Sequence, residues 1–277
     1  MKQTWWVADE HRTWLADRLD VAAWMQPGAQ RTPLSSDRQS AAVRVDEEPR
    51  LLVKWRAPVA DKVHRTLLRP SRERLEARAA LRLAALGIDT PQPWAVGELR
   101  ARGTLVGAVL LRPFAPAAGT ARELAESDPD VLTRCAAAVG CWHAAGFRHG
   151  DCYWKNLLVA PDGAVQPIGY PKAAFERPGT RGDKARWKDL AQLAAGCTEL
   201  EPAVEPFAWL AAYAEAAGVT PEVRDEVEPV FERVMARKRE RLASRPTREP
   251  DGPPAPVPLS PETGADTTPR VRSLGNL

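Results

Sequence analysis

No CxxC pair, no long basic block and no apolar run of membrane-spanning length occurs in this sequence, and each absence excludes something. The four cysteines, Cys135, Cys141, Cys152 and Cys197, have the spacing of neither a zinc site nor a disulfide framework. Reduced, mostly buried thiols in a cytoplasmic protein are the expectation. Charge of one sign is also lacking: 39 basic residues against 36 acidic ones leave a net charge of +3. That balance argues against a nucleic-acid partner. The opening MKQTWWVADEHRTWLADRL carries charges throughout, so it does not read as a signal peptide. Without a spanning segment, work on a membrane lipid implies peripheral contact with the inner face. There is no internal repeat, and no G-x-G-x-x-G; Ser35-Ser-Asp-Arg-Gln-Ser40 stands where such a loop would be sought.

What is present is a hydrophobic content of 44%, enough for a substantial core. Residues 4 to 25 read as an amphipathic helix with Trp6, Trp14, Leu15, Leu19, Val21 and Trp24 on its apolar face, ended by Pro27-Gly28. Two strands follow, Ala41 to Val45 and Leu51 to Trp55, joined by the polar turn 46–49. A helix from Ser71, its N-cap, to Leu86, with Gly87 closing it, carries the stripe Leu75, Ala79, Leu83 and Leu86. Two more strands cover Trp94 to Glu98 and Thr104 to Leu111. Beyond Pro129 the pattern becomes helical. One helix at 130–145 buries Leu132, Cys135, Val139 and Trp142 and is capped by Gly146. A hairpin joins Leu157–Val159 to Val165–Ile168 through Pro161-Asp-Gly163. Helices then fill 185–197, 203–217 and 221–243. The organisation is an N-terminal helical extension (1–33), a strand-rich lobe (34–114), a helical lobe (115–244) and a proline-rich, disordered tail (245–277).

Chemistry concentrates in His149-Gly-Asp151-Cys-Tyr-Trp-Lys-Asn156, between a capped helix and a hairpin. Its H-x-D-x-x-x-x-N spacing resembles a kinase catalytic loop. An acceptor hydroxyl needs a carboxylate to orient it and take its proton, which is the place of Asp151. An amide oxygen five residues on, that of Asn156, can ligate Mg2+, and His149 braces the loop. Lys54, a lysine among apolar strand neighbours, has the position of a residue that reaches nucleotide phosphates. Glu76, or less well placed Glu73, is the helix carboxylate that would hold it. Read singly, Lys54 is a solvent-facing strand lysine and the glutamates are surface partners of Arg72, Arg78 or Arg82; only the order of the parts carries the other reading. Pro113 and Phe114 fall where a hinge between lobes would meet adenine. Trp154 or Tyr153 could stack on a sugar. His143 reads as a packed helix-end histidine, and the arginines of 236–245 as a solvated face.

The order of parts, with Arg78 to Pro93, His149 to Asn156 and Arg186-Trp-Lys-Asp-Leu-Ala-Gln-Leu193, resembles the bacterial lipopolysaccharide (Kdo/heptose) kinase family over about residues 40–200. The resemblance implies an α+β, protein-kinase-like two-lobed fold, with a small antiparallel-sheet lobe and a larger helical lobe. It implies phosphate transfer from ATP, with Mg2+, to a hydroxyl of a sugar or glycolipid acceptor. It matches Lys54 to the phosphate lysine, Glu76 to its partner, Asp151 to the catalytic aspartate and Asp189 to an aspartate tying a helix to the catalytic loop. One position departs: in Pro167-Ile-Gly-Tyr-Pro-Lys172, Gly169 stands where the family places a metal-binding aspartate. Asp162, in the preceding turn, and Asp183, further on, are the nearby carboxylates. The alternative expectation is therefore a pseudokinase, a binding or scaffold module on the same fold.

Overall fold

The computed structural model describes residues 1–25, 31–36, 40–45, 49–58, 64–114, 117, 119–128, 130–176, 183–200, 203–220, 222–243 and 268–277. They fall into two compact units. The first comprises the described residues of Met1–Arg82, Pro91–Ala115 and Glu249–Leu277; the second those of Leu83–Thr90 and Pro116–Arg248.

The first unit begins with β1 (Lys2–Val7) where a helix is predicted. The physical reason lies in two adjacent tryptophans. Trp5 is buried in one apolar cluster and Trp6 in another. Neighbouring residues reach opposite faces only on a strand. The apolar residues that follow do pack, but from short turns. These are α1 (Arg12–Leu15) and α2 (Val21–Trp24), the latter capped by the Asp20 carboxylate on the Ala22 N–H at 2.9 Å. Leu15, Val21 and Met25 cover one face of the sheet.

That sheet has the strand order β12-β1-β5-β6-β4-β3-β2. Its members are β2 (Arg31–Ser36), β3 (Ser40–Val45), β4 (Leu51–Arg56), β5 (Ala95–Ala101), β6 (Thr104–Pro113) and, far along the chain, β12 (Arg270–Ser273). β12 pairs parallel with β1; every other pair is antiparallel. β3 to β6 match prediction closely, and β2 is an additional strand. Residues 37–39, most of the expected turn 46–49 and the expected helix stop Pro27-Gly28 lie outside the described residues. Of the tail expected to be disordered, 244–267 lies outside them too. Its last residues are a correction: β12 adds to the sheet edge, and Leu274 beyond it is buried with Trp6, Ala77, Val96 and Leu110.

Strand alternation decides the two faces. On β4, Leu51, Val53 and Trp55 are buried in the cluster of Leu15, Val21 and Met25, so Leu52, Lys54 and Arg56 point the other way. Opposite them in register stand Arg112, Leu110 and Ala108 of β6. This second face carries α3 (Arg72–Ala85), whose N-terminus Ser71 caps through its hydroxyl on the Arg74 N–H at 3.0 Å. Its buried side is Glu73, Glu76, Ala77, Ala80 and Leu83, with Ala79; Leu75 and Leu86 of the expected stripe are exposed. The helix turns a different face inward from the expected stripe because two buried carboxylates, Glu73 and Glu76, take the place of apolar residues there.

In the second unit, β7 (Gly119–Thr120) leads into α4 (Ala121–Leu124), whose Thr120 and Glu123 form a reciprocal capping box. α5 (Val131–Ala144) buries the four residues expected of it. After β8 (Phe147–Arg148) come β9 (Leu157–Val159) and β10 (Val165–Pro167), the predicted hairpin, and β11 (Ala174–Phe175). α6 (Asp183–Cys197) and α8 (Val223–Ala243) pack on each other, and α7 (Leu210–Ala217) packs on α5. α7 is shorter than predicted, because residues 206–209 form turns. No helix among the described residues is long and apolar enough to cross a membrane. The four cysteines are free, and burial pushes the Cys135 thiol up to about 12 and raises Cys152 and Cys197 as well.

Candidate active site

The lysine strand and the glutamate helix meet. The Lys54 ammonium lies 2.6 Å from Glu76 Oε2, and Glu76 is 1% exposed. Arg112, which the sequence did not single out, stands 3.8 Å from the other oxygen of Glu76 and is itself buried. Glu73, one turn back, is engaged by Arg56 at 3.4 Å instead; burial pushes its carboxyl upward, against the pull of that guanidinium. Lys54 therefore belongs to Glu76, and the surface reading of both glutamates falls away. Pro113 ends β6, and the Phe114 N–H donates to the Arg50 carbonyl at 2.9 Å, while Arg44 lies over the Phe114 ring.

The His149–Asn156 loop is held from beneath by α6. Asp189, fully buried, accepts the N–H groups of His149 at 2.7 Å and Gly150 at 2.8 Å. Gln192, one turn on, accepts the Cys152 N–H at 2.8 Å. Asp189 also faces His143 Nε2 at 3.3 Å, and His143 Nδ1 lies 3.0 Å from the Tyr213 hydroxyl. Burial raises a carboxyl, yet the bonds from His143 and the loop amides outweigh it and hold Asp189 below the usual range. Burial lowers His143, so its ring stays neutral, and pushes the Tyr213 phenol up to about 12. The proton order follows: the Tyr213 hydroxyl donates to Nδ1, and Nε2–H donates to Asp189. His149 braces the loop at its other side, with Nε2 at 3.0 Å from the Ile168 carbonyl.

On that platform Asp151 keeps its carboxylate partly exposed, 3.4 Å from the Lys172 ammonium. Asn156 directs its amide nitrogen at the Asp151 carbonyl, 2.8 Å away. Its oxygen faces Gly169, where a Cβ would lie 3.3 Å from it. Gly169 has φ +69°, a left-handed backbone that glycine adopts without strain. The segment around it is anchored: the Thr90 hydroxyl lies 2.9 Å from the Pro167 carbonyl and 2.8 Å from the hydroxyl of buried Tyr170. Trp154 faces inward instead of toward a sugar. It is 1% exposed and meets Trp209 edge-on, while Tyr153 remains partly exposed. Asp162 caps its own turn through the Ala164 N–H at 3.0 Å, and the Asp183 side chain lies outside the described residues.

A magnesium ion asks for near-octahedral oxygen donors, usually including carboxylates. Here Asn156 offers one side-chain amide oxygen and Gly169 offers no carboxylate, and no group of three His, Cys, Asp or Glu residues able to hold a metal occurs among the described residues. The residues present do not make the aspartate-and-asparagine metal site of a protein kinase, because Gly169 stands in the aspartate's place. Lys172, Arg112 and Gln192 were not legible in advance. Each acts through a partner that is remote in sequence.

Among solved structures, the chain is similar to WaaP in complex with acyl carrier protein, at 18% identity and a TM-score of 0.54, over 87% of this chain and 99% of that one. That likeness shows the fold, a kinase-like α+β architecture. No curated protein matches the chain. The family model of the lipopolysaccharide kinases matches residues 22–205, a span that holds Lys54, Glu76, Asp151, Asn156 and Asp189 together. On that match the chain belongs to the lipopolysaccharide kinase (Kdo/WaaP) family.

Proposed function

We propose that the protein transfers the γ-phosphoryl group of ATP to a hydroxyl of a sugar or glycolipid acceptor. The Lys54–Glu76 ion pair at 2.6 Å, its carboxylate buried and its ammonium partly exposed, carries this reading, since it holds an ammonium suited to the role of a phosphate clamp. Asp151 orients the acceptor hydroxyl and takes its proton. The acceptor oxygen bonds to the γ-phosphorus as the bond to the bridging oxygen breaks, and ADP leaves. Asp189, His143 and Gln192 contribute by holding the loop, a positioning role. Pro113 and Phe114 remain our assignment for adenine, Asn156 for any cation that accompanies the nucleotide, and Tyr153 for sugar stacking. A cytoplasmic site of action, with peripheral approach to the inner membrane face, belongs to the same reading.

Gly169 supports a second reading: a nucleotide-binding scaffold without transfer. Calorimetric titration of ATP, with and without magnesium, and transfer of labelled γ-phosphate to dephosphorylated inner-core oligosaccharide separate the two. The expected result is binding and transfer by the wild type. Lys54→Met loses binding, and Asp151→Asn keeps binding but loses transfer by about a hundredfold or more. Binding without transfer to any inner-core acceptor would select the scaffold. Binding that ignores Lys54→Met would remove the assignment of Lys54 as the phosphate clamp.

A further inference from the structure

We propose that Lys172 is the cation that meets the γ-phosphoryl group beside Asp151, supplying from the protein positive charge that the missing carboxylate at 169 would otherwise have recruited. The inference rests on the phosphotransfer reading above.

Three observations converge on it, all within the second unit. The first is a deficit. The transferring group carries negative charge on its equatorial oxygens, and Asp151 beside it adds another. Gly169, facing the Asn156 oxygen, provides no carboxylate to gather a metal's compensating charge. The second is placement. Lys172 Nζ stands 3.4 Å from Asp151 Oδ1, and its side chain is 52% exposed. Its neighbours among the basic groups of the loop are otherwise occupied: Lys188 donates to the Gly150 carbonyl at 2.9 Å, and Lys155 lies over the Tyr153 ring. The third is a fixed root under an exposed tip. Tyr170, two residues back, is buried and hydrogen-bonded to Thr90. The Lys172 carbonyl packs against Gly150 so closely that a Cβ there would lie 2.5 Å away. The chain thus presents the lysine stem at the catalytic carboxylate and leaves the ammonium able to bridge from Asp151 to a non-bridging phosphate oxygen.

A cation at the γ position distinguishes ATP from ADP, whereas Lys54 serves both. The test titrates ATP and ADP, in EDTA and in magnesium, into the full-length wild type and Lys172→Met, Lys172→Arg and Lys54→Met. Melting curves check that each variant folds; exposed Lys172 should tolerate both replacements. In EDTA the wild type should prefer ATP over ADP. Lys172→Met should lose about tenfold of that preference with ADP affinity little changed, and Lys172→Arg should retain part of it. A Lys172→Met variant with the wild-type ATP-to-ADP ratio in EDTA would overturn the inference. If binding at the same time depends on Lys54, the phosphotransfer reading survives. A wild type that binds neither nucleotide sinks both together.

Discussion

Gly150 and Gly163 share a left-handed backbone, with φ of +75° and +87°, but sit in different surroundings. A Cβ on Gly163 meets nothing within 4 Å, whereas one on Gly150 would lie 2.5 Å from the Lys172 carbonyl. Gly163→Ala should therefore cost only its backbone strain, about 1 kcal/mol. Gly150→Ala adds displacement of the 170–172 turn, and about 2–4 kcal/mol is expected in urea unfolding. Equal costs for the two would show that the approach to Lys172 is soft. At this scale the sequence was readable where a residue's role is local. The H-x-D-x-x-x-x-N spacing and the lysine of β4 were both legible. Trp154 was not, because its contact with Trp209 joins segments far apart in sequence.

From α7 through α5 to α6, beneath the His149–Asn156 loop, one proton-ordered network runs from Tyr213 through His143 to Asp189. Its pH dependence has a definite sign. His143 in the fold lies below its ordinary value of 6.5, so under that pH the unfolded chain takes up a proton the folded one refuses. Stability should be fully present above about pH 6.5 and fall on acidification. Asp189, lowered from 3.8, adds a second loss only below that value. Comparing urea unfolding at pH 7.5 and 5.5, His143→Gln should show a shallower fall than the wild type. An unchanged fall would mean the ring is already protonated in the fold. Element limits were legible where caps and turn residues mark them, as at Ser71, Gly146 and Pro161-Asp-Gly163. The phase of α3 was not, since Glu73 and Glu76 occupy its buried side only because Arg56, Lys54 and Arg112 wait on the sheet.

The first unit is closed by the C-terminal residues. β12 pairs with the edge of β1, and Leu274, 3% exposed, packs with Ala77, the neighbour of Glu76 on α3. Leu274→Ala should cost about 2–4 kcal/mol by large-to-small truncation. The loss should show as a lower melting temperature and faster amide exchange in β1 and α3. Exchange unchanged in both would show that β12 docks without contributing to the sheet. The pairing was illegible in sequence because β12 is four residues long and its partner lies at the other end of the chain.

By itself the sequence determined the kinase-like order of parts, the strands β3 to β6, the α5–loop–hairpin unit and the family. These rest on alternation, caps and short spacings, which are local physics. Only the tertiary structure decided that residues 2–7 are a strand, that Arg112 joins Lys54 at Glu76, and that Lys172 faces Asp151. Each depends on which remote surface a side chain meets, and burial against a remote surface outweighs local propensity.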